Sequence, residues 1–263
     1  MSHTAGSLQN SLSIVATHPD FWVLNKPAGM SFHQDGDAPG LLSITREVTG
    51  EDSLFPVHRL DRLTSGLILL ARSAQAASKL GHLLATGGIE KYYLALSNRQ
   101  PSKKQGLIQG SMLKGRNGSW RLGPINTEAP VATTQFFSYG LGKILAQPGA
   151  EAQTIRLFVV RPRTGKTHQI RVALKSLGSP ILGDERYGGG VVDRAYLHAY
   201  ALRFCWHGEM VSFIQPPNFA LAGDHFISTI TQQLLEKLGM PWKLAWPTYK
   251  TLHSTYNVEP SSM

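Results

Sequence analysis

Short apolar runs separated by turn-forming clusters make up most of the chain. Leu12–Ala16 (LSIVA) and Phe21–Asn25 (FWVLN) predict two strands joined around His18, Pro19 and Asp20, an opening hairpin. The Gly-, Asp- and Pro-rich stretch from Gly29 to Gly40 predicts a loop, and LLSITREV (Leu41–Val48) a short helix after it. Gly66–Ala71 (GLILLA) is an apolar run of strand length and fits a buried strand. Ser73 is placed to cap a helix that ends at Gly87, with Ala77, Leu80 and Leu84 on one face. Strand composition returns at KYYLALS (Lys91–Ser97), VATTQFFSY (Val131–Tyr139), TIRLFVV (Thr154–Val160), YLHAYALRF (Tyr196–Phe204) and MVSFI (Met210–Ile214), which Pro216 and Pro217 close off. Between them, Gln100–Leu122 reads as an extended hairpin or flap, and Thr167–Leu177 as a helix stopped by Gly178.

Many strands with few helices, and no regular strand–helix alternation, predict an α+β fold on a mixed, mostly antiparallel sheet. Residues 1–11 are expected to be a flexible leader, 12–223 one principal domain, and 224–263 a C-terminal helix and tail. The helix is the amphipathic stretch Ser228–Gly239, and the tail from Pro241 is rich in Trp, Tyr, Ser and Pro.

Composition narrows the class. A length of 263 residues with 42% hydrophobic content is enough for one large core. The single cysteine, Cys205, excludes an intramolecular disulfide, and its apolar surroundings predict a small core residue. The N-terminus has no signal-peptide pattern and no apolar run reaches membrane-spanning length, so a soluble, cytoplasmic protein without membrane contact is expected. No dimerisation segment is evident, which makes a monomer the expectation.

The formal charge of +9 favours a polyanionic partner. Its distribution points the same way, since Lys91–Thr127 holds seven Lys or Arg and no acid. Ala152–Gly183 likewise carries Arg156, Arg161, Arg163, Lys166, Arg171 and Lys175 without an acid. Such windows can neutralise phosphates and make binding salt-dependent, as nucleic acid requires. Thr164–Thr167 (TGKT) looks like the end of a phosphate-binding P-loop, but Val160 stands where that loop needs its first glycine and Pro162 removes a backbone donor. His58, His168 and His198 with Asp61 lack metal-ligand spacing, and no metal is expected.

Asp61 lies in a polar turn between two apolar stretches, a setting that holds a carboxylate rigidly; by itself it fits a turn-forming aspartate as well as a nucleophile or base. The surrounding HRLDRLTSG (His58–Gly66) resembles the signature of the RluA family of RNA pseudouridine synthases. LNKPAGMSFH (Leu24–His33), KYYLA (Lys91–Ala95), TGKTHQIR (Thr164–Arg171), GDERYG (Gly183–Gly188) and LHA (Leu197–Ala199) resemble that family's further motifs in the family's order. Lys166 stands where the family usually has Arg, which keeps the charge and loses the two-pronged fork.

The resemblance implies the pseudouridine synthase fold and isomerisation of uridine in structured RNA without a cofactor; the N-terminal RNA-binding module that many relatives carry is not expected, since the first predicted strand begins at Leu12. It implies Asp61 as the catalytic carboxylate, Tyr93 against the target base, and Arg171 paired with Asp61, since a nearby guanidinium favours the charged carboxylate. Arg59 would fill the space left by the extruded base, and His58, Lys26, His33, Thr64, Lys166, His168 and Gln169 would bind RNA. Ribosomal RNA is expected before transfer RNA. The alternatives are an RNA chaperone on the same fold and a nucleoside glycosidase.

Overall fold

The computed structural model describes residues 12–36, 38–125, 128–145, 152–217, 232, 234–236 and 238–248. The expected leader lies outside them, and of the helix expected over Ser228–Gly239 only Gln232, Leu234–Glu236, Leu238 and Gly239 lie inside. No helix among the described residues is long and apolar enough to cross a membrane.

The strands are β1 (Ser13–Thr17), β2 (Phe21–Lys26), β3 (Phe55–Pro56), β4 (Ser65–Ala71), β5 (Glu90–Ser97), β6 (Gln105–Lys114), β7 (Trp120–Gly123), β8 (Val131–Leu145), β9 (Ala152–Pro162), β10 (Leu197–Trp206) and β11 (Glu209–Ile214). The helices are α1 (Leu41–Thr49), α2 (Ala74–Ala85) and α3 (Gln169–Ser176). The strands form one sheet in the order β1-β2-β4-β10-β5-β9-β8-β6-β7, with β11 on β10 and β3 on β4. Only β4 and β10 run parallel among the described pairs, so the sheet is mixed and mostly antiparallel as expected.

Side-chain alternation sorts the two faces. Along β5, Tyr93 and Ala95 join a core with Leu67, Leu69 and the buried sides of α1 and α2. Tyr92, Leu94 and Leu96 point the other way, into a core completed by Leu235, Leu238, Trp242 and Trp246. All seven residues of β4 are buried, which explains why its sequence is a continuous apolar run without alternation. Ser73 caps α2 by accepting from the Ala76 N–H at 3.1 Å, and Leu80 is fully buried, as the spacing predicts.

The extended hairpin expected over Gln100–Leu122 is present as β6 and β7, and β6 also pairs with β8 from Gln105 to Ser111. Two local expectations differ. Helix α3 begins two residues later than predicted, since His168 takes a left-handed φ of 56° at its N-cap. Cys205 is exposed, for on β10 it is Phe204 and Trp206 whose side chains turn into the core.

The parallel contact between β4 and β10 matters for the site, because both strands begin there. Gly66 has φ +104° and faces Ala199; a Cβ at Gly66 would come within 2.3 Å of the Ala199 carbonyl oxygen. Beside it, the register of β10 against β5 shifts between Ala199 and Ala201. Gly66→Ala is therefore expected to cost about 3 kcal/mol through combined strain and overlap. The check is a urea midpoint, and an unchanged midpoint would mean that β10 yields without cost.

Candidate active site

Asp61 sits in the turn leading into β4, where its carbonyl accepts from the Thr64 N–H at 3.0 Å. The LNKPAGM segment fastens this turn from outside. Arg62 O accepts from the Gly29 N–H at 2.8 Å and from Lys26 Nζ at 3.2 Å, while Arg62 Nε donates to Gly29 O at 3.1 Å. Lys26 Nζ also donates to Pro27 O at 2.9 Å and Met30 O at 2.8 Å. Lys26 is fully buried; burial draws its pKa down to about 7 against the opposing pull of Asp61.

Arg171, on α3, reaches Asp61 from the other side, with Nη1 at 3.3 Å from Oδ2. Its closer partner is Asp184, which it binds through Nε at 2.7 Å and Nη2 at 2.9 Å, a two-pronged pair. Arg171 is 4% and Asp184 1% exposed, so the pair lies in the interior. Burial alone would lower the Arg171 pKa, but the two carboxylates outweigh it and hold it above the ordinary value. The guanidinium also lies over the Tyr187 ring at 4.8 Å, and the Tyr187 hydroxyl hydrogen-bonds His168 Nδ1 at 2.8 Å. GDERYG thus supplies both groups that fix Arg171 and His168. Neither Asp184 nor Tyr187 was singled out from sequence, although Asp184 is the first acid after the second basic window.

Two clefts of about 850 and 840 Å3 meet at this constellation. Arg59, Leu60, Asp61, Thr167, His168 and Arg171 line both. The first is also lined by Tyr93, Lys91, Arg161, Arg163 and Lys166, the second by His33, Arg62, Arg186 and Arg194. Tyr93 is 8% exposed, and burial together with the Asp61 charge raises its pKa well above the ordinary tyrosine value, so it stays a phenol. Burial lowers the pKa of Lys91. Among the described residues no group of His, Cys, Asp and Glu is arranged to hold a metal.

Of the residues expected to touch RNA, Arg59, His33 and Lys166 are exposed and His168 half-buried on the cleft walls. Four others are placed differently. Lys26 is committed to three backbone carbonyls, and Thr64, 2% exposed, closes the Asp61 turn. Gln169 spends its amide on protein: Nε2 donates to Thr133 O and Thr134 Oγ1, and Oε1 accepts from Thr164 Oγ1 and the Lys166 N–H. It clips the TGKT loop to β8. His58 accepts from the Leu69 N–H through Nε2 and bonds the Arg59 backbone, and burial lowers its pKa to about 3. Lys26, Thr64 and Gln169 are buried, and a buried polar group takes protein partners; His58 is half-buried, and it, Thr64 and Gln169 still line the first cleft.

A family model described as RNA pseudouridylate synthase matches residues 20–176. A Haemophilus influenzae protein described as an uncharacterized RNA pseudouridine synthase is 41% identical over 234 residues, covering 88% of this chain and 98% of that protein. Ribosomal large subunit pseudouridine synthase C of the same organism is 33% identical over 230 residues, 81% of this chain and 66% of that one. Among solved structures, human RNA pseudouridylate synthase domain containing 1 superposes with a TM-score of 0.70 at 24% identity, over 92% of this chain and 98% of that one; it shares the fold.

Two stability measurements test the site's framework. Asp184→Asn leaves a buried guanidinium short of counter-charge and is expected to lower the unfolding free energy by about 3 kcal/mol, read from urea melts. A loss under about 0.5 kcal/mol would mean that Asp61 alone compensates Arg171. His198 is buried and its pKa falls from 6.5 to about 4. Below pH 6.5 the unfolded imidazole binds a proton that the folded one refuses, so stability complete above 6.5 is lost as the pH falls toward 4. The expected loss is about 3 kcal/mol. His198→Asn should flatten that acid limb, and an unaltered limb would assign it to other groups.

Proposed function

The chain belongs to the RNA pseudouridylate synthase family and is an RNA pseudouridine synthase; from that premise we propose that it acts on ribosomal RNA, with Asp61 as its catalytic carboxylate. The reading is carried by one observation: Asp61 stands where two cation-lined clefts meet, bound to a guanidinium that the interior holds in place.

Pseudouridine formation breaks the ribose C1′–N1 bond, turns the uracil, and joins C1′ to C5, while the C5 proton leaves and N1 gains one. Atoms and electrons balance within the nucleotide, so the protein's task is to hold and orient. Asp61 acts beside the anomeric carbon as nucleophile or base. The base lies in the first cleft, because Tyr93 lines that cleft and stays a neutral phenol able to stack on uracil and donate one hydrogen bond. Extrusion of a uridine costs a few kcal/mol, least from a loop, and exposed Arg59 at the junction is placed to occupy the vacated stack. Arg171, held by Asp184, is a positioning residue that keeps the carboxylate aimed at the junction.

The relative named for the large ribosomal subunit supports ribosomal RNA, while the cations along both clefts suit any RNA backbone. Tritium release from RNA labelled at uracil C5, measured separately on ribosomal and transfer RNA from cells lacking the gene, tests substrate and residue together. Release from the ribosomal pool is expected, falling at least about a thousandfold with Asp61→Asn while RNA binding is retained. Release by Asp61→Asn at the wild-type rate would remove the carboxylate from the chemistry, and release from transfer RNA alone would reassign the substrate.

A further inference from the structure

Arg194, a cation of the second cleft, takes no part in the framework around Asp61. Arg194 precedes β10, is half-buried, and lines that cleft beside Arg62 and Arg186. Among the described residues no carboxylate oxygen lies within 4.0 Å of its guanidinium. The neighbouring charges include buried Lys26, which it repels, and Asp193 on the same cleft, which attracts it beyond ion-pair distance. Burial lowers the Arg194 pKa, so the protein bears a cost to keep this charge here.

A chain of hydrogen bonds with a fixed direction holds it. His198 Nε2 lies 2.8 Å from Gln215 O; a carbonyl only accepts, so Nε2 carries the proton. His198 is neutral at pH 7, so its Nδ1 is bare and accepts from the Ser65 hydroxyl at 2.8 Å. The alternative, Ser65 Oγ donating to Leu197 O, is longer at 3.4 Å. With its only hydrogen spent, Ser65 Oγ accepts from Arg194 Nη2 at 2.7 Å. The backbone is held as well, since a Cβ at Gly183 would meet Arg194 O at 1.9 Å. Arg194 Nε makes one long bond, 3.3 Å, to Ala195 O, its guanidinium lies over the Tyr196 ring at 5.8 Å, and Nη1 has no hydrogen-bond partner among the described residues.

A pre-oriented guanidinium with no carboxylate at ion-pair distance, in a cleft where five arginines stand against Asp35, Asp61 and Asp193, is complementary to a phosphodiester. We propose that Arg194 is the phosphate anchor of the second cleft, gripping the RNA backbone next to the uridine whose base enters the first. The inference rests on the reading of this protein as acting on RNA, and adds the path of the strand: Tyr93 lines only the base cleft, Arg194 only the other.

The test uses the full chain and a short fluorescein-labelled oligouridylate, with binding followed by anisotropy across a potassium chloride series. Arg194→Gln is expected to weaken binding about tenfold at low salt. Its plot of log affinity against log salt should be shallower by about 0.7, the value for one single-strand phosphate contact. Arg194→Lys should keep the slope and lose part of the affinity, and it serves if the Gln variant fails to fold by circular dichroism. Arg46→Gln, exposed on α1, should match wild type. Unchanged affinity and slope in folded Arg194→Gln, or salt-independent binding by wild type, would overturn the proposal. Asp61→Asn should retain the wild-type slope. A protein that releases no tritium yet loses slope with Arg194→Gln keeps the phosphate anchor and loses the isomerase reading.

Discussion

A guanidinium in a protein interior must be matched by negative charge, and at Arg171 that requirement organises the site. Asp184 meets it with two short bonds, which locks the plane of the guanidinium and leaves one edge for Asp61 at 3.3 Å. The stronger pair lies wholly inside and the weaker one opens to the clefts. Asp61 is thus oriented by a group that is itself immobilised, which makes a carboxylate on a turn rigid. Tyr187 adds the ring under Arg171 and the hydroxyl on His168.

The same economy holds the rest of the turn. Lys26 turns its ammonium inward onto three carbonyls, one of them from Arg62, so the opening hairpin and the Asp61 turn move as one unit. Gln169 does for the TGKT loop what Lys26 does for the turn, tying it to β8. Of the cations on the cleft walls, Arg161 pairs with Glu90 and Arg62 with Asp35, whereas Arg59 and Lys166 are exposed. The site therefore has two kinds of positive charge: groups engaged in holding it together, and exposed groups along the clefts.

The sheet determines where these groups converge. β4 and β10 run parallel side by side and begin at the site, and their approach at Gly66 and Ala199 is close enough that a side chain would not fit. Alternation along β5 sends Tyr93 toward the cleft and Tyr92 to the opposite face, where it packs against Trp242 and Trp246. Residues far apart in the chain, such as Asp61 and Arg171, become neighbours because strands from both halves interleave.

Local chemistry made much of this legible in advance. The strands, the capping of α2 by Ser73 and the mixed sheet follow from alternation, turn residues and caps, which act over a few residues, and the ordered motifs carried the family and the pairing of Asp61 with Arg171. The tertiary structure alone decided which polar residues face inward. The family resemblance implied Lys26, Thr64, Gln169 and His58 as RNA contacts, and each makes hydrogen bonds to protein partners. Asp184, which no local pattern marks, is buried against Arg171, while Cys205, expected in the core, is exposed. The physical reason is that a charge's role depends on its distance from water and from its counter-charge, and both are set by which strands lie side by side; sequence types the group, and packing chooses its partner.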